Sequence, residues 1–250
     1  MRHHFWPSCV LGCVAALSAQ TGSADTPQLR VSANQRYLET SAGTPFFCLA
    51  DTAWELFHRC DPADVDVYLQ KRQSQGFNVI QAVLIAEFDG LNVPNQQGHR
   101  PLRDNDPQQP WIEPGPGNDY WDDVELVLTR AADRNMYVAL VPTWGEWVTP
   151  RFSKPPIFER PEQGYAYGSF LGDRFRDHTN LIWILGGDRR PEEWPHAKSV
   201  WSAMAEGIAD GIVGHREQNS TADWTRTLTS YHSMASSSTW WHEAPWLDFH

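Results

Sequence analysis

The sequence predicts an α/β fold in which parallel strands alternate with helices along the chain. One observation is the apolar run from Leu181 to Leu185, which lacks polar alternation and ends abruptly in Gly186-Gly187-Asp188. Such a run is typical of a strand that is covered on both faces, as in parallel sheets. A second observation is that comparable runs recur with helical patterns between them. The third is the length, because 250 residues without a compositional break suffice for one large domain.

Six apolar runs are candidate strands, and four helical patterns separate the first five of them. The first helix begins at Asp61-Pro62, where an N-cap aspartate precedes a proline, and Gly76 ends it. A (β/α)₈ barrel has eight strands and typically about 250 residues, so we predict an incomplete (β/α)₈ TIM-barrel-type domain with about six of the eight strands. The candidate strands are 46–51, 77–84, 136–141, 181–185, 227–231 and 246–249, and the candidate helices are 61–75, 119–135, 162–177 and 196–209.

The segment from Ile85 to Asn118 is long for a connection between two elements, and it is rich in Pro, Gly, Asn and Asp. Within a compact domain such a segment is more often a functional loop than a linker. The side chains in it that could contact a ligand are Glu87, Asp89, His99, Arg100 and Trp111.

The first 24 residues resemble a signal peptide, with Arg2, a small and apolar run from Ser8 to Ala19, and Gly22-Ser23-Ala24. We therefore expect a secreted or periplasmic protein that loses residues 1–24. Val10 to Cys13 weakly resembles a lipoprotein box, and lipid anchoring is the less favoured alternative. Residues 25–45 form an N-terminal lead-in, and 46–250 form the partial barrel domain. No later run approaches the ~20 apolar residues that span a bilayer, so we expect no membrane span.

The composition favours a carbohydrate ligand and argues against nucleic acid. The chain has 13 Trp, 7 Tyr and 11 Phe, and aromatic rings suit the apolar faces of sugars as well as protein cores. The formal net charge is -11, so the chain lacks the excess of basic residues that binding to a polyphosphate needs. An acidic glycan would need local arginines, for which Arg100, Arg103, Arg189 and Arg190 are candidates.

Removal of the leader would leave two cysteines, Cys48 and Cys60. A disulfide between them is an open alternative in an oxidising compartment. Cys48 lies in a candidate strand, so we expect a small buried hydrophobic side chain there.

Most candidate strands end in polar or aromatic side chains. Since the carboxyl ends of parallel strands share one side of a barrel, these side chains predict one functional rim. Taken singly, each acid is more often a cap or a loop hydrogen-bonder, and each Trp is as often a core residue. Asp188 itself could simply cap the helix that begins near Pro191 to Trp194. The strand-end groups are Asp51 with Trp54, Glu87 with Asp89, Trp144 with Glu146, Asp188, His232, and Asp248 with His250.

Cleavage of a glycosidic bond needs two carboxyl groups, one protonated and one ionised. Asp188 is the candidate acid, because Trp183 and Trp144 would desolvate it and raise its pKa, although Arg189 beside it would act in the opposite direction. The histidine spacing has no metal-site pattern and there is no phosphate loop, so we predict neither a metal nor a cofactor. The candidate substrate-binding residues are Asp51, Trp54, Glu87, Asp89, His99, Trp144, Arg189, His232 and Trp241.

Seven ordered blocks of the chain, from about Leu29 to the end, together resemble the apiosidase-like glycoside hydrolases. The resemblance implies a (β/α)₈ barrel that removes a sugar, in the characterised case apiose from pectin. It also implies a catalytic Asp after strand four, which Asp188 matches, and a catalytic Glu after a later strand. That Glu and the family's C-terminal β-sandwich fall beyond His250, so we expect residues 1–250 alone not to hydrolyse glycosides efficiently. The blocks are 51–58, 76–83, 87–95, 140–145, 166–172, 180–188 and 246–249.

Two other functions fit the same rim. One is a barrel fragment that binds carbohydrate without cleaving it, and the other is a metal-dependent hydrolase. Dialysis against a chelator would distinguish the metal-dependent hydrolase from both the glycosidase and the binding fragment. The sequence leaves the oligomeric state open.

Overall fold

The computed structural model describes residues 26–150, 155–215, 218 and 221–250, so the leader predicted over residues 1–24 lies outside the described residues. Strands and helices alternate over most of the described chain. The strands are β1 (Leu29–Val31), β2 (Leu38–Thr40), β3 (Pro45–Phe46), β4 (Ala50–Thr52), β5 (Val79–Val83), β6 (Tyr137–Val141), β7 (Leu181–Gly186) and β8 (Thr229–His232). The helices are α1 (Leu56–Arg59), α2 (Pro62–Ser74), α3 (Tyr120–Ala132), α4 (Pro161–Arg174), α5 (Ala197–Val213) and α6 (Ser238–Trp241), with 3₁₀ turns at Gly145–Trp147 and Trp224–Arg226.

A five-stranded parallel sheet in the order β4-β5-β6-β7-β8 forms the centre of the fold. Every neighbouring pair is parallel, and the helices α2, α3, α4 and α5 connect successive strands. Strands in chain order with a helix after each strand form an open segment of a (β/α)₈ barrel. The predicted fold class is therefore confirmed, and the four long helices lie close to their predicted positions.

The two faces of this sheet bury different sets of side chains. On the inner face, Val79, Tyr137 and Ile182 belong to a small apolar cluster. On the outer face, alternate residues such as Ile80 and Trp183 join the large core beneath the helices. The alternation follows from the two-residue period of a strand, and both faces are covered, as the apolar runs predicted.

A separate antiparallel sheet, β1-β2-β3, covers the amino-terminal end of the inner face. Leu29 packs in the inner cluster, and Phe46 meets the ring of Tyr137 edge-on with centroids 5.0 Å apart. The Tyr137 hydroxyl donates to the carbonyl of Pro27 at 2.5 Å. The lead-in thus closes the end of the barrel segment opposite to the carboxyl ends of its strands.

The predicted single strand from Phe46 to Asp51 is wrong. Phe46 ends β3, which is antiparallel to β2, whereas Ala50 begins β4, which is parallel to β5. Between them Phe47 is 79% exposed and Cys48 is also exposed, so the expected burial of Cys48 is wrong too. The physical reason is that β4 is an edge of the five-stranded sheet, and among the described residues no strand pairs with its other side. Cys48 and Cys60 are both free thiols.

The predicted sixth strand, 246–249, is also wrong. This segment lies beside β8, where the Asp248 amide donates to Thr229 O at 2.9 Å. The Asp248 carboxylate, however, accepts the Thr229 amide proton at 2.8 Å, so a side chain replaces the backbone partner that a ladder would require. Trp246 is 2% exposed and packs 4.8 Å from the ring of Trp241, which anchors the segment. Among the described residues the parallel sheet therefore has five strands.

Helices α4 and α5 approach each other unusually closely, and glycines make this approach feasible. A Cβ atom at Gly168 would overlap the carbonyl oxygen of Met204, and one at Gly207 would overlap that of Tyr165. Gly164, Gly168 and Gly172 recur every four residues, so they lie on one face of α4. Within the described parts of the chain, no helix is both long and apolar enough to cross a membrane.

We expect Gly168→Ala to destabilise the protein by roughly 1–3 kcal/mol, because the new methyl group must push two packed helix backbones apart. A chemical denaturation series measures this change in the free energy of unfolding. The control is Gln70→Ala on the exposed face of α2, which should change stability by less than about 0.5 kcal/mol. An equally stable Gly168→Ala protein would contradict the close packing of α4 and α5.

Candidate active site

The carboxyl end of β7 makes a sharp turn that only glycines can form. Gly186 and Gly187 have φ values of 91° and 133°, and Asp188 follows with φ 52°. A Cβ atom at Gly186 would overlap the carbonyl oxygen of His232, and one at Gly187 would overlap the amide nitrogen of Gly145. Non-glycine residues with positive φ are uncommon, although Asp is one of the better tolerated. The turn therefore holds Asp188 in a defined and unusual position between two neighbouring strand ends.

Asp188 is paired with a histidine from the adjacent strand. Nε2 of His232 lies 3.0 Å from Oδ1 of Asp188, and Nδ1 of His232 lies 3.1 Å from Nε2 of the Gln81 side chain. With the Gln81 amide donating to Nδ1, the His232 hydrogen is on Nε2 and points to Asp188. Gln81 lies inside β5, so this chain of contacts crosses the inner face of the sheet from β5 to β8 and then to the end of β7.

Three aromatic rings form a wall beside this pair. Trp54, Trp144 and His232 have centroid separations of 5.1 Å (Trp54–Trp144), 5.6 Å (Trp54–His232) and 5.3 Å (Trp144–His232). They follow or end three different strands, β4, β6 and β8. Edge-on and tilted ring contacts of this kind are favourable and restrict movement of each ring. Trp144 is 5% exposed and belongs to the core on its other side, whereas Trp54 is only partly buried, so Trp54 presents most of the accessible indole surface of this wall next to the carboxyl group.

A second group of charged side chains lies next to Asp188. Arg189 is 7% exposed, and its guanidinium lies 3.8 Å from the carboxylate of Glu146, which is 8% exposed. Glu87 is half-buried and lines a small cavity together with Glu55, Trp54 and Trp144. Burial raises the pKa of Glu87, and the charges of Glu146 and Asp188 act in the same direction, whereas Arg189 opposes them.

The structure brings six of the ten predicted site residues together at the carboxyl end of the sheet. They surround the aromatic wall or lie directly behind it, as the shared rim of parallel strands requires. Arg189 is among them but is buried beside Glu146, and its role as a binding residue stays a prediction. The six residues are Trp54, Glu87, Trp144, Asp188, Arg189 and His232.

Asp51 does not join the rim, which corrects its prediction as a binding residue. Its carboxylate faces α2, where it accepts a hydrogen bond from the Tyr68 hydroxyl at 2.7 Å and another from Arg72. Burial acts to raise the pKa of Asp51, but the hydrogen bonds from Tyr68 and Arg72 outweigh it and lower the pKa. Asp51 pairs with Ile80 of β5, which is an outward position, so strand alternation directs it away from the site.

Three other predicted binding residues also lie elsewhere. His99 pairs with Asp123 of α3 at 2.8 Å, under the long loop. Trp241 is 4% exposed and packs in the core 5.2 Å from the ring of Tyr231. Asp89 is exposed, and within the described residues no hydrogen bond or ion pair joins its side chain to the rim. Each lies in a loop or short helix whose path the strand pattern does not specify.

The environment of Asp188 also differs from the prediction. Its side chain is 53% exposed, so the desolvation that we expected from neighbouring tryptophans is largely absent. Trp183 is an outward-facing residue of β7 and lies in the core beneath the helices, on the other side of the strand. The error came from sequence proximity, since only four residues of the strand and its turn lie between Trp183 and Asp188.

Sequence reasoning missed one residue of the site, Gln81. It is a polar residue in the middle of the apolar run Val79–Val83, and its side chain contacts His232. A lone polar residue at an inward position of a buried strand requires a hydrogen-bonding partner. That requirement was the available signal.

Solved structures with similar folds include two glycoside hydrolases. One, described as a glycoside hydrolase family 5 protein from Bacteroides vulgatus ATCC 8482, is 29% identical with a TM-score of 0.71, covering 90% of this chain and 43% of that one. The other, described only as a glycoside hydrolase, is 30% identical with a TM-score of 0.70, covering 90% and 45%. The chain thus spans less than half the length of each. An endo-1,4-beta-mannanase from Rhizomucor miehei shares the fold alone, at 12% identity and a TM-score of 0.54, covering 82% of this chain and 60% of that one.

Comparison with curated proteins finds no match. The family model for the apiosidase-like catalytic domain, in contrast, matches residues 32–250, which is most of the chain. The matched region contains the five-stranded sheet, the glycine turn and every residue of the site. The protein therefore belongs to the apiosidase-like glycoside hydrolase family.

Proposed function

We propose that the protein is a glycosidase that removes a sugar from a pectin-type plant cell-wall glycan: the family match supports the glycosidase, and the resemblance described above implies the pectin-type substrate. The observation that carries this proposal is the Asp188 carboxyl group, which His232 holds at 3.0 Å beside the wall formed by Trp54 and Trp144. A fixed carboxyl group next to an aromatic surface is suited to protonating a bond of a sugar that lies against that surface.

In the proposed reaction, Asp188 acts as the general acid. Its carboxyl proton moves to the glycosidic oxygen while the bond between that oxygen and the anomeric carbon breaks, and the leaving group departs as an alcohol. A second carboxylate stabilises the positive charge that develops on the sugar and then either forms a covalent intermediate or activates the attacking water. Water supplies the hydroxyl group of the released sugar. The family resemblance assigns the second carboxylate to a Glu after a later strand.

His232 and Gln81 are positioning residues in this scheme. Among the described residues, only His232 hydrogen-bonds the Asp188 carboxyl group, and it uses one oxygen, Oδ1. The other oxygen, Oδ2, remains for the glycosidic oxygen. The Gln81 amide orients the imidazole from inside the sheet, so the direction of the carboxyl group depends on strands β5, β7 and β8 together.

Glu87 has the second carboxyl group of the site that could donate a proton or a hydrogen bond to the substrate. Its pKa is raised by burial and by the neighbouring acids, which keeps it protonated to a higher pH than an exposed glutamate. A neutral Glu87 would donate a hydrogen bond to a substrate hydroxyl in the cavity that it shares with Trp54 and Trp144. We therefore assign substrate positioning to Glu87 and proton donation to Asp188.

We expect Asp188→Asn in the full-length protein to lower kcat/KM for glycosides with poor leaving groups by about 10²–10⁴-fold, because an amide cannot protonate the leaving oxygen. Aryl glycosides with activated leaving groups should lose far less. Steady-state kinetics on both substrate types measures the difference. The matched control is Asp104→Asn, since Asp104 is likewise an exposed aspartate with a φ of 52° but lies in the long loop. An equal loss on both substrate types would assign Asp188 a role other than the acid.

Glu87→Gln tests the division of roles between the two carboxyl groups. The amide keeps a hydrogen-bond donor at the same place, so we expect kcat/KM to fall only about tenfold or less, with similar losses for poor and activated leaving groups. Measurement of both variants with the same two substrates provides the comparison. If Glu87→Gln instead loses more activity than Asp188→Asn on poor leaving groups alone, Glu87 is the general acid.

We further propose that the protein acts outside the cytoplasm, which the leader pattern of residues 1–24 supports. When the protein is produced in an exporting bacterial host, intact-mass analysis should show a chain that begins near residue 25. A mature protein that retains Met1 to Ala24 would contradict export through this leader.

A further inference from the structure

We propose that a cavity under the long loop is a second sugar subsite, which takes an anionic hexuronate unit of the glycan. The cavity has a volume of about 240 Å³, which is on the scale of a single sugar rather than of a drug-sized ligand. That the ligand is a sugar rests on the proposed function. That the sugar is acidic rests on the side chains of the cavity. Residues of its wall include His99, Arg100, Trp111, Glu113, Asn118 and Tyr120.

A short hairpin in the loop places the two principal groups side by side. Leu102 and Pro110 form an antiparallel bridge, and the Trp111 amide donates to the carbonyl of Pro101 at 2.9 Å. Arg100 precedes one strand of this hairpin, and Trp111 follows the bridge on the other. Their proximity is therefore determined by backbone hydrogen bonds, so a cation and an indole ring are presented together.

The ring of Trp111 is supported in a fixed position. The Arg103 guanidinium lies 5.2 Å from its ring centroid, and the indole nitrogen donates to Glu113 at 2.6 Å. The residue nevertheless keeps 36% of its surface exposed. A supported and partly exposed indole in a cavity wall is a suitable platform for the apolar face of a sugar ring.

The acidic groups of the wall already have partners. The Glu113 carboxylate accepts from Trp111 and also pairs with Arg103 at 3.2 Å. The Asp119 carboxylate caps α3, where it accepts from the Trp121 amide at 2.8 Å, and its second oxygen accepts from the Glu113 amide at 3.0 Å. Glu113 is therefore paired with a cation, and the buried Asp119 has both oxygens occupied by backbone N–H groups.

Arg100 differs from these acids, because its side chain has no ion pair or hydrogen bond within the described residues, and it is exposed. His99 uses Nδ1 to contact Asp123, which leaves Nε2 for a ligand hydroxyl. The uncommitted charge of the cavity is thus positive. A guanidinium group binds a carboxylate through two parallel hydrogen bonds, so the cavity selects a sugar acid over a neutral sugar.

The cavity adjoins the active site through one buried histidine. His58 contacts Glu55 at 3.0 Å through Nδ1 and the carbonyl oxygen of Val93 at 3.2 Å through Nε2. Glu55 lines the small cavity beside Glu87, whereas Val93 directly precedes the wall residue Pro94 of the second cavity. Both cavities lie at the carboxyl end of the sheet, because the long loop leaves from the end of β5. One glycan chain bound in the active site would therefore extend toward Arg100.

The test measures binding in the full-length protein with Asp188→Asn, which prevents turnover. We expect a galacturonate trimer to bind, and Arg100→Ala to weaken its binding roughly ten- to a hundredfold. A galactose trimer should bind at least about tenfold more weakly than the galacturonate trimer. The matched control is Arg36→Ala, since Arg36 is an exposed arginine in the turn between β1 and β2, at the opposite end of the sheet. Isothermal titration calorimetry and thermal melts of every variant provide the readouts.

Three results would overturn the subsite. The first is unchanged galacturonate binding in folded Arg100→Ala and Trp111→Ala proteins, and the second is equal binding of the galactose trimer. The third is displacement of the galacturonate trimer by an equal concentration of acetate, because the protein would then bind only a carboxylate and not a sugar. Hydrolysis is measured separately, with the control Arg36→Ala in the otherwise unaltered protein and a small aryl glycoside as substrate. We expect that activity to be unchanged. Absence of any hydrolysis together with Arg100-dependent binding would reject the proposed function and keep the subsite.

Discussion

The structure of the site depends on the absence of side chains at Gly186 and Gly187. These two residues lie where β7 must turn between the end of β8 and the turn that follows β6, and a Cβ atom at either would overlap neighbouring backbone. Because both have positive φ, the next residue, Asp188, is delivered at an angle that an ordinary strand end would not provide. The contacts of Asp188 with His232 and of Gly187 with Trp144 both follow from this turn. A residue larger than glycine would separate the acid from its aromatic wall.

The inner face of the sheet is apolar at the amino-terminal end of the strands and polar at their carboxyl end, and this division supports the turn at Gly186 and Gly187. At the amino-terminal end, Val79, Tyr137 and Ile182 are apolar, and the antiparallel sheet of the lead-in covers them. At the carboxyl end, the inward residues Gln81 and His232 are polar and hydrogen-bond each other. The amino-terminal end supplies the hydrophobic stabilisation, and the carboxyl end is free to bind a ligand. The close packing of α4 on α5 fixes the outer layer behind β7.

In the proposed subsite, the long loop adds recognition to this framework and leaves the chemistry to the sheet. Its two ends are joined by the Tyr120 hydroxyl, which donates to the carbonyl of Leu84 at 2.6 Å, and the imidazole of His58 contacts the Val93 carbonyl within the loop. Loops that are held by such contacts can vary in sequence while the strands beneath them remain unchanged. The loop carries a supported tryptophan and an arginine that has no ion pair among the described residues, so the proposed subsite predicts that related chains differ in glycan preference there rather than at Asp188.

The sequence alone determined the strand–helix alternation, the position of four long helices and the identity of Asp188 as the group at the end of a buried strand. These features depend on local periodicity and on glycine turns, which are visible in the chain itself. The tertiary structure decided which strand-end groups meet. Asp51 turns outward to Arg72, Trp241 is buried in the core, and 246–249 lies beside β8 without forming a strand. Such outcomes depend on strand register, on exposed sheet edges and on contacts between residues that are far apart in the chain, and none of these is encoded in a local pattern.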